Sequence, residues 1–424
     1  MYLTGYVQRD RLWQITNRWF SDQPLPQDGA FLTKLHIYES LINGPVSRQF
    51  LSDILRRVYG KPFYLERVYR KDDLREAIIS GCHYPTDRME ALFRQYLDFP
   101  EEFFPRTPAD LVLAVGEDAT LLGMTRFKRV RRVAEKASRR VADHLAESIR
   151  SEARRLATIR AAAAGVRLEE LISSADTMRR EFAEAERVVS HTFRDGYVVM
   201  APEDVAVDDA IGFKFVGSVR QLGAIEAEIA AHPGTRIVDR AVHTGDYNDI
   251  SLLVDLDLPP ADEIVSRVKT SDWAFARGRG LKPEDLAREF PEYVLGGSRS
   301  IQAEVVLTTY EELAEAEFGR SIHEERIVAQ RRSAPYTGRI AANAAFLIEY
   351  MMMLAISPTI RIDSLPVKMW GRYLPDTFSR AVWQLFGIEH GGVLYDPFVL
   401  DSEELLSRRE ASGDDRASQR SSSR

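Results

Sequence analysis

Two carboxylates stand where neighbouring strands could bring them together. Asp209 directly precedes the apolar segment 210–216, which is typical of a β-strand, and Glu304 lies near the start of a second predicted strand, 301–309. Carboxylates on adjacent strands offer the oxygen ligands that Mg²⁺ takes, and the ion keeps positions for water and substrate phosphates. The pattern predicts a magnesium site for phosphate chemistry. Its alternative is a pair of solvated or capping groups at strand ends, which is the commoner role of such residues.

The sequence around both carboxylates resembles the synthetase domain of the RelA/SpoT family, the alarmone synthetases with a nucleotidyltransferase-like fold. The family's strand motif Asp-x-x-Gly-x-Arg is matched by Asp209, Gly212 and Lys214. Its second strand, Glu-Val-Gln-Ile-Arg-Thr, is matched at Glu304, Val305 and Thr309. The resemblance implies that Asp209 and Glu304 are catalytic magnesium ligands of a nucleotidyltransferase or pyrophosphokinase.

A third match lies in the helix expected after that strand. The family pattern Ala-Glu-x-Gly-x-x-x-His is present as residues 316–323, which implies that His323 contributes to the substrate site. The family's Gly-Tyr-x-Ser-x-His strand, whose tyrosine stacks on the guanine acceptor, keeps only Tyr247. The resemblance spans roughly residues 190–330 and implies a purine nucleotide as the ligand.

The family's phosphate-holding Arg, Lys and Ser cluster has no counterpart ahead of Asp209. Arg194 is the single Lys or Arg in the segment 188–208. Phosphate contacts are therefore expected from side chains elsewhere, namely Lys214, Arg194, Arg277 and Arg279. Magnesium alone neutralises a triphosphate poorly, so the sequence also supports an inactive nucleotide- or RNA-binding regulatory module. A structural or interaction protein of the same fold is the third possibility.

A strongly basic segment runs from Arg126 to Arg160, with twelve Lys and Arg residues against four Asp and Glu. It is rich in Ala and free of Pro and Gly until Gly165, which predicts one long helix. A solvated helical face explains the charge. The functional alternative is a strip that binds RNA or another polyanion, centred on Arg129, Arg132, Lys136, Arg139 and Arg140.

The whole chain is predicted to adopt an α+β fold: a helical N-terminal region, then a mixed-sheet nucleotidyltransferase-like domain with flanking helices. The predicted parts are a helical domain (1–125), the basic helix or helical pair (126–190), the α/β domain (191–335) with an insert (259–300), a helical segment (336–400) and a disordered tail (401–424).

Within these parts, hydrophobic periodicity predicts helices over 47–59, 86–97 and 107–115, with Ser47 as an N-cap and Gly60 as a stop. In the second half we expect helices over 219–231, 310–332 and 338–356, and strands over 210–216, 236–242, 250–258 and 301–309.

Composition narrows the range of functions. With 424 residues and a net charge of -7, the chain can bury a large core but has no overall attraction to nucleic acid or anionic lipid. Its single cysteine, Cys82, excludes a Cys-based zinc cluster and fits a reducing compartment. The N-terminus lacks signal-peptide features, and Glu349 interrupts the most apolar stretch, 344–356. We therefore expect a soluble cytoplasmic protein without membrane contact.

Overall fold

The computed structural model describes residues 1–104, 106–197, 200–245, 248–269, 281–319, 338–356 and 361–373, together with 273, 274, 277, 379, 381, 382 and 385. The chain divides into two compact units, Met1–Thr377 and Phe378–Arg424. The elements below all belong to the first unit. The predicted disordered tail, 401–424, lies outside the described residues. No helix in the described ranges has the length and apolar character needed to cross a membrane.

A seven-stranded mixed sheet forms the centre of the first unit, in the order β2-β3-β4-β6-β9-β8-β7. Its strands are β2 (Phe63–Arg70), β3 (Pro108–Gly116), β4 (Leu121–Phe127), β6 (Ile211–Val216), β7 (Thr235–His243), β8 (Asp249–Asp257) and β9 (Ser300–Thr308). Only β6 and β9 run parallel among these neighbours. A separate short pair joins β1 (Tyr2–Leu3) to β5 (Ala206–Val207).

Twelve α-helices are described around these strands. In chain order they are α1 (Arg9–Phe20), α2 (Asp28–Tyr59), α3 (Lys71–Ser80), α4 (Asp87–Asp98), α5 (Val130–Ala164), α6 (Leu168–Leu171), α7 (Ala175–Arg194), α8 (Val219–Ala231), α9 (Ala261–Val268), α10 (Pro283–Leu295), α11 (Tyr310–Phe318) and α12 (Arg339–Met353).

The structure confirms the predicted α+β class with its mixed sheet and flanking helices. One predicted element is wrong: residues 107–115 form strand β3 instead of a helix. Leu111, Leu113 and Val115 are buried on alternate positions, which is the period of a strand. The mostly helical region before residue 126 thus also supplies β2, β3 and most of β4 to the central sheet.

Helix α2 is longer than predicted, because the sequence pattern identified only its second half. Ser47 is not an N-cap, since it lies buried in the middle of the helix. Gly60 ends α2 as predicted: it takes a left-handed conformation with φ of 59°, and its N–H bonds to the Arg56 carbonyl. The helix contains Pro45 and continues through it, although proline inside a helix usually kinks or ends it.

The two faces of the sheet differ in how far they are covered. On one face Phe213, Phe215, Val305 and Leu307 are buried, and α2 packs there through Phe50, whose ring centroid lies 4.9 Å from that of Phe213. The opposite face carries Gly212, Lys214, Glu304 and Val306, of which only the glycine is buried. This half-covered face, which we call the open face, is where polar chemistry has room.

Helix α5 packs against both α7 and α12. Small side chains permit the close approach to α12, since Ala142 and Ala146 of α5 form a buried cluster with Ala341 and Ala345 of α12. Glu349 of α12, which interrupts the apolar stretch, accepts a hydrogen bond of 3.2 Å from the Ser138 hydroxyl of α5. The basic helix is therefore anchored along one side in the core.

A buried carboxyl group ties the N-terminal segment to α2 and α10. Glu39 is 3% exposed and accepts hydrogen bonds from the backbone N–H groups of Val7 (3.1 Å) and Gln8 (3.2 Å), from Asn43 (3.1 Å) and from the Tyr293 hydroxyl (2.8 Å). Burial raises the pKa of Glu39 to about 7, because the hydrogen bonds offset only part of the desolvation penalty.

The raised pKa makes stability depend on pH. A carboxyl whose folded pKa exceeds its unfolded value contributes stability that is fully present below the unfolded pKa, about 4.3, and is lost as pH rises through the folded value. Glu39→Gln should therefore remove a fall in unfolding free energy between about pH 4.5 and pH 7. Denaturant titrations over this range measure it, with the exposed Glu66→Gln as control. A pH-independent difference between wild type and Glu39→Gln contradicts the assignment.

Candidate functional site

Asp209 lies in the loop just before β6 and is 7% exposed. Its Oδ2 atom forms ion pairs with two ammonium groups, those of Lys128 and Lys136. Lys128 follows directly after β4, and its backbone N–H donates to the Ala210 carbonyl at 2.9 Å. The Lys128 ammonium also donates to the backbone carbonyl of Asp209 at 2.8 Å. These contacts attach the start of α5 to the start of β6.

The charges of this cluster depend on one another. Burial alone raises the pKa of the Asp209 carboxyl, but the Lys128 and Lys136 ammonium groups outweigh it and lower the pKa to about 2. Burial also lowers the pKa of Lys128 to about 8, helped by Arg126 and Lys136 and opposed by Asp209. Asp209 is thus firmly ionised at neutral pH.

Glu304 is held beside this cluster by the register of the sheet. Gly212 of β6 lies opposite Arg126 of β4 on one side and Glu304 of β9 on the other. The Arg126 Nη2 atom approaches the Glu304 Oε2 atom to 3.5 Å across the glycine. A Cβ atom at Gly212 would lie 3.1 Å from the Arg126 Nε atom. The glycine of the motif therefore leaves space for an arginine to cross β6.

Lys214 lies two residues along β6 from Gly212, on the same open face. Burial lowers the pKa of Lys214 to about 8, and the charged groups that act on it are Glu317, Arg126, Lys71 and Asp249. Lys71 and Glu317 form an ion pair of 2.8 Å. Strand β6 begins only at Ile211, so Asp209 lies outside the strand that carries Lys214.

The buried carboxylates of this face have cationic or hydrogen-bonding neighbours. The side chain of Asp249 is 5% exposed, and its Oδ1 atom lies 2.6 Å from the Nδ1 atom of the His243 imidazole. The open face therefore carries Arg126, Lys128, Lys136, Lys214 and Lys71 against Asp209, Glu304, Glu317 and Asp249. Such a balanced cluster can accept an anion by exchanging carboxylate contacts for phosphate contacts.

A resident magnesium ion does not fit the carboxylates as they are arranged. The described ranges contain no group of three or more His, Cys, Asp or Glu side chains that could hold a metal. Asp209 and Glu304 already have three cationic neighbours, Arg126, Lys128 and Lys136, and a divalent cation added to them would be repelled. In this arrangement Lys128 and Lys136 supply positive charge at Asp209, and magnesium binding by the two carboxylates remains a prediction.

Of the remaining predicted site residues, the structure describes Arg194 and Arg277. Tyr247, Arg279 and His323 lie outside the described residues. Arg194, at the end of α7, and Arg277 are both exposed. Within the described part of the chain no hydrogen bond or ion pair joins either arginine to Asp209 or Glu304. Their roles in binding phosphate remain predictions.

Sequence reasoning missed Arg126, Lys128 and Lys136 as site residues. All three belong to the basic segment. The sequence feature that could have identified two of them is the spacing of Arg126 and Lys128, which alternate at the end of a strand and can therefore lie on the same face. Other members of the basic strip also have partners: Arg132 pairs with Glu135 at 3.0 Å and Arg140 with Asp208 at 3.7 Å. Contact between the strip and RNA remains a prediction.

The chain has distant structural similarities to two solved proteins. It matches the small alarmone synthetase 1 from Bacillus subtilis with 11% identity and a TM-score of 0.20, over 40% of this chain and 70% of the synthetase. It matches a GTP pyrophosphokinase family protein from Streptococcus pneumoniae with 9% identity and a TM-score of 0.21, over 67% and 88% of the two chains. No protein-family model and no curated protein sequence matches. Both similarities concern the fold, and neither identifies what this chain does.

The ion pairs of Asp209 predict that this residue contributes to the stability of the fold. Asp209→Asn leaves two ammonium groups without their carboxylate at a site where Asp209 is 7% exposed, so we expect a loss of about 3 kcal/mol of unfolding free energy. Asp208→Asn is the matched control: Asp208 is 35% exposed and its pair with Arg140 should contribute less than about 1 kcal/mol. Denaturant unfolding measures both. Equal effects of the two substitutions would contradict the assignment.

Proposed function

We propose that this protein binds a purine nucleotide through its phosphate groups on the open face of the sheet, without a divalent cation. The observation that carries the proposal is the cluster of Arg126, Lys128, Lys136 and Lys214 beside two carboxylates, one on β9 and one just before β6. Planar arginine and compact ammonium groups are the side chains that recognise phosphate oxygens. Binding without turnover makes the protein a regulatory module of a nucleotidyltransferase-like fold.

The exposure of these cations supports access by a ligand. The side chains of Arg126 and Lys136 are 45% and 33% exposed, whereas that of Lys128 is 10% exposed. The Arg126 contact with Glu304 is also long, at 3.5 Å. Arg126 and Lys136 can therefore turn towards a phosphate while Lys128 keeps Asp209 neutralised.

The purine component of the proposal comes from the family resemblance. In that resemblance Tyr247 stacks on the base, and Glu317 belongs to the helix motif that follows the second strand. Glu317 is 5% exposed and pairs with Lys71, so it acts as an internal partner of the cationic cluster. Base stacking by Tyr247 is part of the proposal.

A second candidate function is a magnesium-dependent nucleotidyl or pyrophosphoryl transferase, with Asp209 and Glu304 as the metal ligands. One observation favours it: within the described residues, the buried Oδ1 atom of Asp209 has no hydrogen-bond partner. A carboxylate oxygen in that state could bind a cation. This function requires Lys128 to leave Asp209 first, so it predicts nucleotide binding that depends on added magnesium.

Calorimetric titration with ATP and GTP separates the two functions. With a chelator present, we expect binding by the wild type, and Arg126→Gln should weaken it by about tenfold because one charge-assisted contact is lost. Arg56→Gln, a change of an arginine that is 70% exposed on α2, is the control and should leave affinity unchanged. Binding that appears only with magnesium supports the transferase. No heat with either nucleotide under both conditions rejects both functions.

A further inference from the structure

The position of the Lys128 ammonium group suggests a role beyond phosphate contact. The group binds the Asp209 carboxylate and the Asp209 backbone carbonyl, while Arg126, two residues earlier, forms an ion pair with Glu304. Lys128 and Arg126 therefore neutralise the two carboxylates that the sequence singles out as a metal pair. Lys136 interacts with Asp209 from the other end of the cluster.

The backbone fixes Lys128 in this position. Strand β4 ends at Phe127, and the Lys128 N–H extends the pairing of β4 with β6 by donating to the Ala210 carbonyl at 2.9 Å. Helix α5 begins two residues later, at Val130. The backbone at Lys128 is thus held by β6 on one side and by the start of α5 on the other. Only 10% of the Lys128 side chain is exposed. A flexible surface lysine would not be confined in this way.

The carboxylates themselves retain the capacity to bind a cation. Asp209 uses only its Oδ2 atom for the two lysines, and its buried Oδ1 atom has no hydrogen-bond partner in the described residues. Glu304 has only the 3.5 Å contact with Arg126 among the described ion pairs. Divalent cations bind where several anionic oxygens converge and competing positive charge is absent. Here the Oδ1 atom of Asp209 has no hydrogen-bond partner in the described residues, and Lys128 supplies the competing charge.

We propose that Lys128 is an internal cation that takes, at Asp209, the place of a divalent metal ion. It closes the site to magnesium and manganese, and its removal converts the two carboxylates into a divalent-cation site. This inference rests on the ion pairs alone and holds whether or not the protein binds a nucleotide.

The experiment measures Mn²⁺ binding by electron paramagnetic resonance and by its effect on the melting temperature of the full chain. Wild type and Lys128→Arg, which keeps the charge, should bind no Mn²⁺ at this site. Lys128→Gln should bind one Mn²⁺ ion and show a saturable rise in melting temperature. The double variant Lys128→Gln with Glu304→Gln should lose that binding, which locates the ion.

Lys136→Gln is the matched control, because it also removes an ammonium group from Asp209 but leaves Lys128 in position. It should acquire no Mn²⁺ site. The proposal is overturned if the wild type binds an Mn²⁺ ion that Glu304→Gln abolishes, or if folded Lys128→Gln binds none. If Lys128→Gln fails to fold, Mn²⁺ should restore its folding, and the wild-type measurement still decides the matter.

A nucleotide titration of the same wild-type sample keeps this inference separate from the proposed function. A protein that binds neither nucleotide nor Mn²⁺, and whose Lys128→Gln variant binds Mn²⁺, supports the internal cation and rejects nucleotide binding. A wild-type protein that binds nucleotide and also an Mn²⁺ ion sensitive to Glu304→Gln supports a metal-dependent function and rejects the internal cation.

Discussion

The ion pair between Lys128 and Asp209 is the interaction on which the arrangement of this protein's open face depends. An ionised carboxylate that is 7% exposed would be costly without a partner, and so would a lysine that is 10% exposed. Together they satisfy each other and join the end of β4 to the start of β6. Because α5 begins two residues after Lys128, the same contact sets where the long basic helix leaves the sheet.

The neighbouring strands extend this charge pattern across the sheet. Gly212 allows Arg126 to pass over β6 towards Glu304. Because the glycine has no side chain, the long Arg126 side chain fits above it. On the reverse face Phe213 and Phe215 alternate with these positions and pack in the core. One strand, β6, therefore serves stability on one side and polar chemistry on the other.

Much of the fold in the second half could be predicted from local sequence signals. Helix α8 has the predicted bounds because Ser218 caps its first turn and Gln221 completes a capping box. The Thr309 cap marks the start of α11 in the same way. Two of the pairings of the missed strands β2, β3 and β4 are long-range: β2 joins β3, and β4 joins β6, which lies more than eighty residues later in the chain. Strands β3 and β4 form a local hairpin around residues 117–120, and most of β3 was predicted to be a helix instead.

The candidate site was predictable only in part, for a related reason. Asp209 and Glu304 stand in short local motifs, so their types and spacing identified them. The structure places Glu304 on β9 and Asp209 in the loop that leads into the parallel neighbour β6. Their partners lie more than seventy residues upstream of Asp209, in a basic run that a solvated helical face explains equally well. The spacing of residues in the sequence identifies the carboxylates. It does not identify the cations that the fold brings into contact with them.

The insert between β8 and β9 packs against residues that are far away in the sequence. From the sequence the insert, 259–300, was expected only to contribute phosphate contacts, yet α10 packs against α2 through a hydrogen bond of 3.0 Å from the Tyr38 hydroxyl to the Leu286 carbonyl. The buried Trp273 extends the same contact, with its ring centroid 6.1 Å from that of Tyr38. The insert is therefore a support of the core.

The central claim is that Lys128 supplies, at Asp209, the positive charge that a divalent metal ion would otherwise provide. The most direct test is anomalous diffraction at the manganese absorption edge from crystals of the wild-type protein grown with Mn²⁺. The account predicts no anomalous peak between the two carboxylates and electron density for the Lys128 side chain on Asp209. An anomalous peak bridging Asp209 and Glu304, with Lys128 displaced, would contradict it.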